Sequence, residues 1–289
     1  RLILLSAVLD ALPTYAMAAM LLLPAVLKKL DSLHRAFLWN AAERASGAQC
    51  LVAWERVCRT KAEGGLGVWD LAMQNRCLLL KMLHRLHTAS SSSRWAMWVW
   101  AELDGRSLLS SMASRSAGEH SRALARLLPL YRGITRVTVR DGRRTSFWLD
   151  SWLPCGPLAV ALPVLHSHTT VKEATVWHVR ARGLDSVLVP RLTTAGTVER
   201  ATLLTLLGDN AMEPGDDERT SMLCSGARGS LVTAAVYALE RFGGVQASFA
   251  AFLWGCAAPS RVRFFGWLLV QRRINTRDVL LRKTIVTTE

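Results

Sequence analysis

A chain of 289 residues, 51% of them apolar, is long enough for one large domain or two ordinary ones and too apolar to be a disordered tail. Its 36 Lys and Arg against 22 Asp and Glu leave a formal charge of +14, which points toward a polyanion, most commonly nucleic acid; only six of the cations are Lys, and an Arg- and Ala-rich product of a GC-rich gene would carry the same charge without a partner. The six cysteines, Cys50, Cys58, Cys77, Cys155, Cys224 and Cys256, form no Cys-x-x-Cys and follow no secretory signal, which argues against a disulfide framework and reads as reduced, mostly buried thiols of an intracellular protein.

The chain opens on Arg1, as a piece of a longer protein or a decayed copy would. The next residues, through Leu27, are apolar, but Asp10 interrupts them and Pro13 and Pro24 divide them into pieces too short to cross a bilayer. A buried helix pair is expected, Leu2 to Leu12 and a short segment between the prolines, with no stable membrane insertion. From Pro24 the spacing predicts a helix ending at Trp39. Val26, Leu27, Leu30, Leu33, Phe37 and Leu38 form its apolar stripe, and Lys28, Lys29, Asp31, Ser32 and Arg35 its outer face. A loop, "NAAERASG", follows.

After the short segment "CLVAWERVC" comes "KAEGGLGVWD", with Gly64, Gly65 and Gly67 close together. No Gly-x-Gly-x-x-Gly is completed and no Lys-Ser or Lys-Thr follows, so the cluster is a turn and not a phosphate loop. Glycine in such a place supplies a positive φ and lets backbones approach closely, and the positive φ is expected at Gly65. Asp70 stands where an N-cap belongs, before a helix whose stripe is Leu71, Asn75, Leu78, Leu79, Met82, Leu83 and Leu86. Gln74, Lys81 and Arg85 are placed outside it, Arg76 on its polar flank, and His84 and His87, lacking a third ligand, on the surface.

Farther on, Val137 and Val139 alternate with Arg136, Thr138 and Arg140, Asp141-Gly142 suits a turn, and Ser146 to Leu149 can return, predicting a β-hairpin near 134–150. Trp148 and Trp152 read as core. His166 and His168 have no cysteine at ligand spacing. Asp216-Asp217, between Gly215 and Glu218, reads as a solvated acidic turn. Arg261, Arg263, Arg272 and Arg273 bracket "FFGWLLV" in the most basic short window.

Several stretches in order resemble plant non-LTR, LINE-type, retrotransposon reverse transcriptases in the region after the palm. They are "LPTYAMAAMLLLPAVLKKLDSLHRAFLWN", "LVAWERVCRTKAEGGLGVWDLAMQNRCLLLKMLHRL", "ITRVTVRDGRRTSFWLDSWLP", "DDERTSMLCSGARGSLVTAAVYALE" with its Tyr237, and "FAAFLWGCAAPSRVRFFGWLLVQRRINTRDVLLRK". The resemblance implies an α+β, mostly helical fold. Residues 1–90 would be a thumb-like helical subdomain, 91–215 a linker region carrying the hairpin, and 216–289 a hairpin plus helices like the start of a reverse transcriptase zinc-binding domain.

Two departures limit what the resemblance implies. The family's catalytic aromatic-Ala-Asp-Asp tip, which holds two Mg²⁺ ions, has no counterpart here. Its zinc-binding Cys/His set would begin just beyond Glu289. The expectation is therefore a non-catalytic chain without a metal, with Mg²⁺ and Zn²⁺ belonging to the parent. In the parent it would contribute RNA and DNA binding to target-primed reverse transcription, in the nucleus, and it would take no small-molecule substrate. Lys28, Lys29, Arg35, Arg76, Lys81, Arg85, Arg261, Arg263, Arg272 and Arg273 are the candidate phosphate contacts. A decayed relic that binds nothing specific, or a helical scaffold or membrane-peripheral protein, are the alternatives.

Overall fold

A computed structural model of the protein describes residues 1–40, 50–88, 93–103, 118–208, 213–226 and 229–274. The fold is α+β and mostly helical, with two small antiparallel strand pairs among the described residues. The chain packs as two compact units, each assembled from separated stretches: Arg1–Met17, Leu22–Asn75 and Tyr237–Glu289 in the first, Ala18–Leu21 and Arg76–Val236 in the second. The loop expected after Trp39 lies, from residue 41 to residue 47, outside the described residues.

In the first unit, a short helical turn, Leu2–Leu4, runs into a π-helical turn, Leu5–Leu9, closed by Asp10 N–H on the Leu5 carbonyl at 2.9 Å. The expected helix to Leu12 thus stops early, and the buried pair is a buried seam only. Leu5 and Met17 are enclosed, whereas Ile3, Leu12 and Tyr15 stay exposed. The Pro24–Asn40 helix forms where expected, with Pro24 in its first turn, but its inward face is turned from the predicted stripe. Leu27, His34, Ala36 and Leu38 are buried, and Val26 and Leu33 are exposed. The reason is polar: buried Asp10 faces His34 Nδ1 at 3.4 Å, and Asp31 accepts the Trp54 indole N–H at 3.0 Å. Asp31 is therefore not on a solvated face, and burial raises its pKa.

The glycine stretch is a turn, although its chemistry differs from expectation. Gly64 and Gly67 hold positive φ, +79° and +74°, and Gly65 does not. A Cβ at Gly65 would fall on the Arg59 carbonyl oxygen, so glycine is needed there for close backbone approach. Thr60 and Glu63 bond each other's N–H groups across the turn, at 2.9 and 3.2 Å. The Gly64 carbonyl accepts the Trp267 indole N–H at 2.8 Å. Trp267 itself sits in a core with Leu5, Leu38, Val57, Leu66 and Leu253. Asp70 caps the Leu71–Thr88 helix as expected, accepting Met73 N–H at 3.0 Å, and its own N–H reaches the Tyr237 hydroxyl at 3.0 Å.

In the second unit, Phe147, Trp148, Leu158, Leu165, Val179 and Leu203 centre the core, so Trp148 is core as expected, with Trp152 half-buried against it. Arg136–Thr138 does not fold back on Ser146 to Leu149. It pairs antiparallel with Glu218–Thr220, Val137 opposite Arg219. The cause is Asp217, which is buried and not solvated. It accepts Arg140 N–H at 2.8 Å, Gly142 N–H at 2.9 Å and the Thr145 hydroxyl at 2.6 Å, wrapping residues 140–145 around a carboxylate. Inside, Arg219 Nη2 meets Asp150 Oδ2 at 2.6 Å, and Arg132 stands 3.4 Å from the other carboxylate oxygen. Burial pushes the Asp150 carboxyl up, and the two guanidinium charges and hydrogen bonds overcome this and hold it below the ordinary range.

The second hairpin appears as Cys224–Ser225 paired with Ser230–Leu231, leading into the Thr233–Glu240 helix. His84, His87 and Gln74 are buried, not on the surface. His84 Nδ1 lies 3.1 Å from the Tyr131 hydroxyl and Nε2 2.7 Å from the Gly229 carbonyl, which places the ring proton on Nε2. His87 packs tilted against the Tyr131 ring and edge-on to Trp100, and burial lowers both histidine pKa values. None of the six cysteines forms a disulfide, yet only Cys58 and Cys77 are buried, fewer than expected.

Candidate nucleic-acid interface

The helix starting at Ser260, right after Pro259, carries Arg261 and Arg263 in its first turn. These side chains, with Arg1 and Lys61, line a cavity of about 920 Å³ in the first unit. Trp39, Trp69, Trp254 and Phe264 supply much of its mostly apolar wall, and no Asp or Glu is among the described lining residues. Trp39 lies in the last turn of the Pro24–Asn40 helix, Trp69 follows the glycine turn, and Trp254 and Phe264 belong to the Ala250–Gly255 and Ser260–Val270 helices. The local structures that raise these rings are therefore separate, and only the fold brings them together.

Several cations at this site are held in place. Arg1 Nη1 donates to the Trp39 carbonyl at 2.9 Å, and Arg263 Nη1 to the Trp254 carbonyl at 3.4 Å. Lys61 Nζ stands 5.5 Å over the Trp254 ring. The indole N–H groups of Trp39 and Trp254 are enclosed without a protein partner, so the cavity meets the carbon surfaces of those rings. The Cys58 thiol also lines it, 3.8 Å from the Trp69 carbonyl. Burial first, then the nearby Asp31, Asp70 and Asp10 charges, push its pKa well above the ordinary thiol value. Such a site can hold an anion and a ring.

Of the residues chosen from sequence, Arg261 and Arg263 enter this site. Lys28 and Lys29 are exposed on the Pro24–Asn40 helix. Arg35 is half-buried with its Nε enclosed, not on an open face. Arg272 and Arg273 are exposed just past the Ser260–Val270 helix, Arg272 with φ 54°. Arg76 and Lys81, half-buried, and Arg85, exposed, belong to the second unit. Gly67 lines the cavity, and Gly64 anchors Trp267. Sequence reading missed Arg1, Lys61 and the tryptophans. Lys61, three residues before Gly64, and Trp69, two after Gly67, were the available signal.

Among the described residues no group of three or more His, Cys, Asp or Glu is placed to hold a metal, and no helix is long and apolar enough to cross a membrane. No family model matches the chain, and no solved structure matches it significantly. An uncharacterized mitochondrial protein of Arabidopsis thaliana is 36% identical over 158 residues, which span 50% of this chain and 93% of that protein. The chain belongs to the family of that protein. A second Arabidopsis thaliana relative, named a putative ribonuclease H protein, is 31% identical over 293 residues, covering 96% of this chain and 45% of the relative. The chain thus spans less than half the length of that longer protein.

Proposed function

We propose that this chain is the region after the palm of a plant LINE-type reverse transcriptase, a thumb-like segment with the start of a zinc-binding module. It grips nucleic acid by its backbone and catalyses nothing itself. The observation that carries this reading is the cation-rimmed cavity of the first unit, with no carboxylate among its described lining residues, built from the thumb-like stretch and the zinc-module-like stretch. The ordered motifs and the ribonuclease H name of the longer relative support a retroelement origin. In the parent, Mg²⁺ and Zn²⁺ would be held elsewhere, and the work would be target-primed reverse transcription.

Phosphate contacts carry no base information. Labelled RNA–DNA hybrids of unrelated sequence should therefore bind the purified chain with affinities within about threefold of one another, whereas a sequence-reading protein separates its site from others by roughly 10³ or more. Discrimination of that size, or no binding to any hybrid near physiological salt, contradicts the reading.

A further inference from the structure

We infer that the cavity of the first unit is a stacking pocket for one nucleotide of an unpaired strand, the base against the indole walls and the phosphate on the Lys61 and Arg261 rim. This rests on the reading above and adds to it a preference for single-stranded over duplex nucleic acid. A ligand for this cavity must bring aromatic surface and negative charge together. The walls are Trp39, Trp69 and Trp254, and among the described lining residues the charged ones are all cations.

A nucleotide unit has that composition, and every base has a π-face to stack. A duplex has already stacked its base faces internally and presents phosphates, so the rim can hold it while the walls contribute nothing. The volume, about 920 Å³, lies in the range of pockets that enclose a small ligand and is far too small for a duplex. Trp69 remains 38% exposed at this cavity. The arginines that hold their guanidinium groups on the Trp39 and Trp254 carbonyls fix charge beside two of the rings before any ligand arrives. A free nucleotide and a nucleotide within a strand share this chemistry.

The test uses the whole chain with fluorescein-labelled single-stranded DNA, the same sequence as duplex, and a free nucleoside 5′-monophosphate as competitor. The single strand should bind more tightly. Trp69→Leu should lose about tenfold for the strand and little for the duplex, while Trp69→Phe, which keeps a ring, should retain most of the affinity. Irradiating a 5-iodouracil strand should place adducts on Trp69 or Trp254 by peptide mass spectrometry. Displacement of the strand by monophosphate makes the free nucleotide a ligand in its own right, and failure to displace makes the strand the ligand. Equal binding of strand and duplex, unchanged in Trp69→Leu, overturns the pocket and leaves the backbone reading intact. Binding to neither overturns both.

Discussion

Replacing Gly65 by alanine should damage the first unit more than the same change at Gly67, although Gly67 alone of the two has positive φ. A Cβ at Gly65 would land on the Arg59 carbonyl oxygen and 2.5 Å from the Arg59 carbonyl carbon. Relief requires the two backbone segments to part. That movement strains the bonds from Gly65 N–H to the Thr60 carbonyl and from Gly67 N–H to the Arg59 carbonyl, each 2.9 Å. Overpacking costs about 1–3 kcal/mol and each weakened hydrogen bond about 0.5–1.5, so a loss of about 3 kcal/mol is expected. At Gly67 a Cβ meets only the Lys61 side chain at 3.9 Å, and the cost is that of a left-handed φ, about 1–2 kcal/mol. For a unit of this size, roughly 2–4 °C of melting temperature accompanies each kcal/mol. Gly65→Ala should therefore lower the transition by roughly 6–12 °C, read by thermal melting of both variants beside the parent. A Gly65→Ala melt within a degree of the parent, or a larger loss at Gly67, would refute the close-approach argument.

Asp217→Ala removes the acceptor of three hydrogen bonds and should cost about 3 kcal/mol in urea unfolding, whereas Asp216→Asn, which loses a half-exposed pair with Arg144, should stay within about 1 kcal/mol. Equal effects would count against the buried-carboxylate role. His87 has a folded pKa depressed by burial, so its contribution is fully present above the unfolded value near 6.5 and is lost as pH falls below it. Melting temperature should drop on acidification from pH 7.5 to 5.5, and His87→Phe, which keeps a ring against Tyr131 and Trp100, should reduce that slope. An unchanged slope contradicts the assignment. The purified chain should extend no primer with Mg²⁺ or Mn²⁺, because the Asp216-Asp217 pair is divided between a salt bridge and a buried loop. Template-directed incorporation would overturn the non-catalytic reading.

What the sequence made legible was local. Pro24 and the apolar spacing marked the Pro24–Asn40 helix, and Asp70 marked the next one, because caps and periodicity act within a turn or two. The face that helix buries was not legible, since it is set by Asp10 meeting His34. Nor could the spacing show that Gln74, His84 and His87 go inside, where Tyr131 from a distant stretch receives both histidines. Asp141-Gly142 carried a hairpin signal that Asp217 overrides, and the true strand partner lies some eighty residues on. The glycine turn was plain in the sequence, but which glycine needs its freedom depends on where the Arg59 backbone passes. The cavity was least legible, because Arg1, Lys61, Trp254 and Arg261 share no local pattern.

The salt dependence of hybrid binding tests the central claim most directly. Each phosphate neutralised on a duplex contributes a slope of roughly −0.9 in log K against log[salt]. Changing Lys61 and Arg261 to Gln should flatten the parent slope by about two units, with folding held within about 0.5 kcal/mol per exposed site, while Lys28→Gln with Lys29→Gln reports the neighbouring helix separately. A flattened slope with lowered affinity for every sequence is the expected result. A parent chain that binds without salt dependence, or one whose slope survives both pairs of changes, would contradict backbone recognition by these residues.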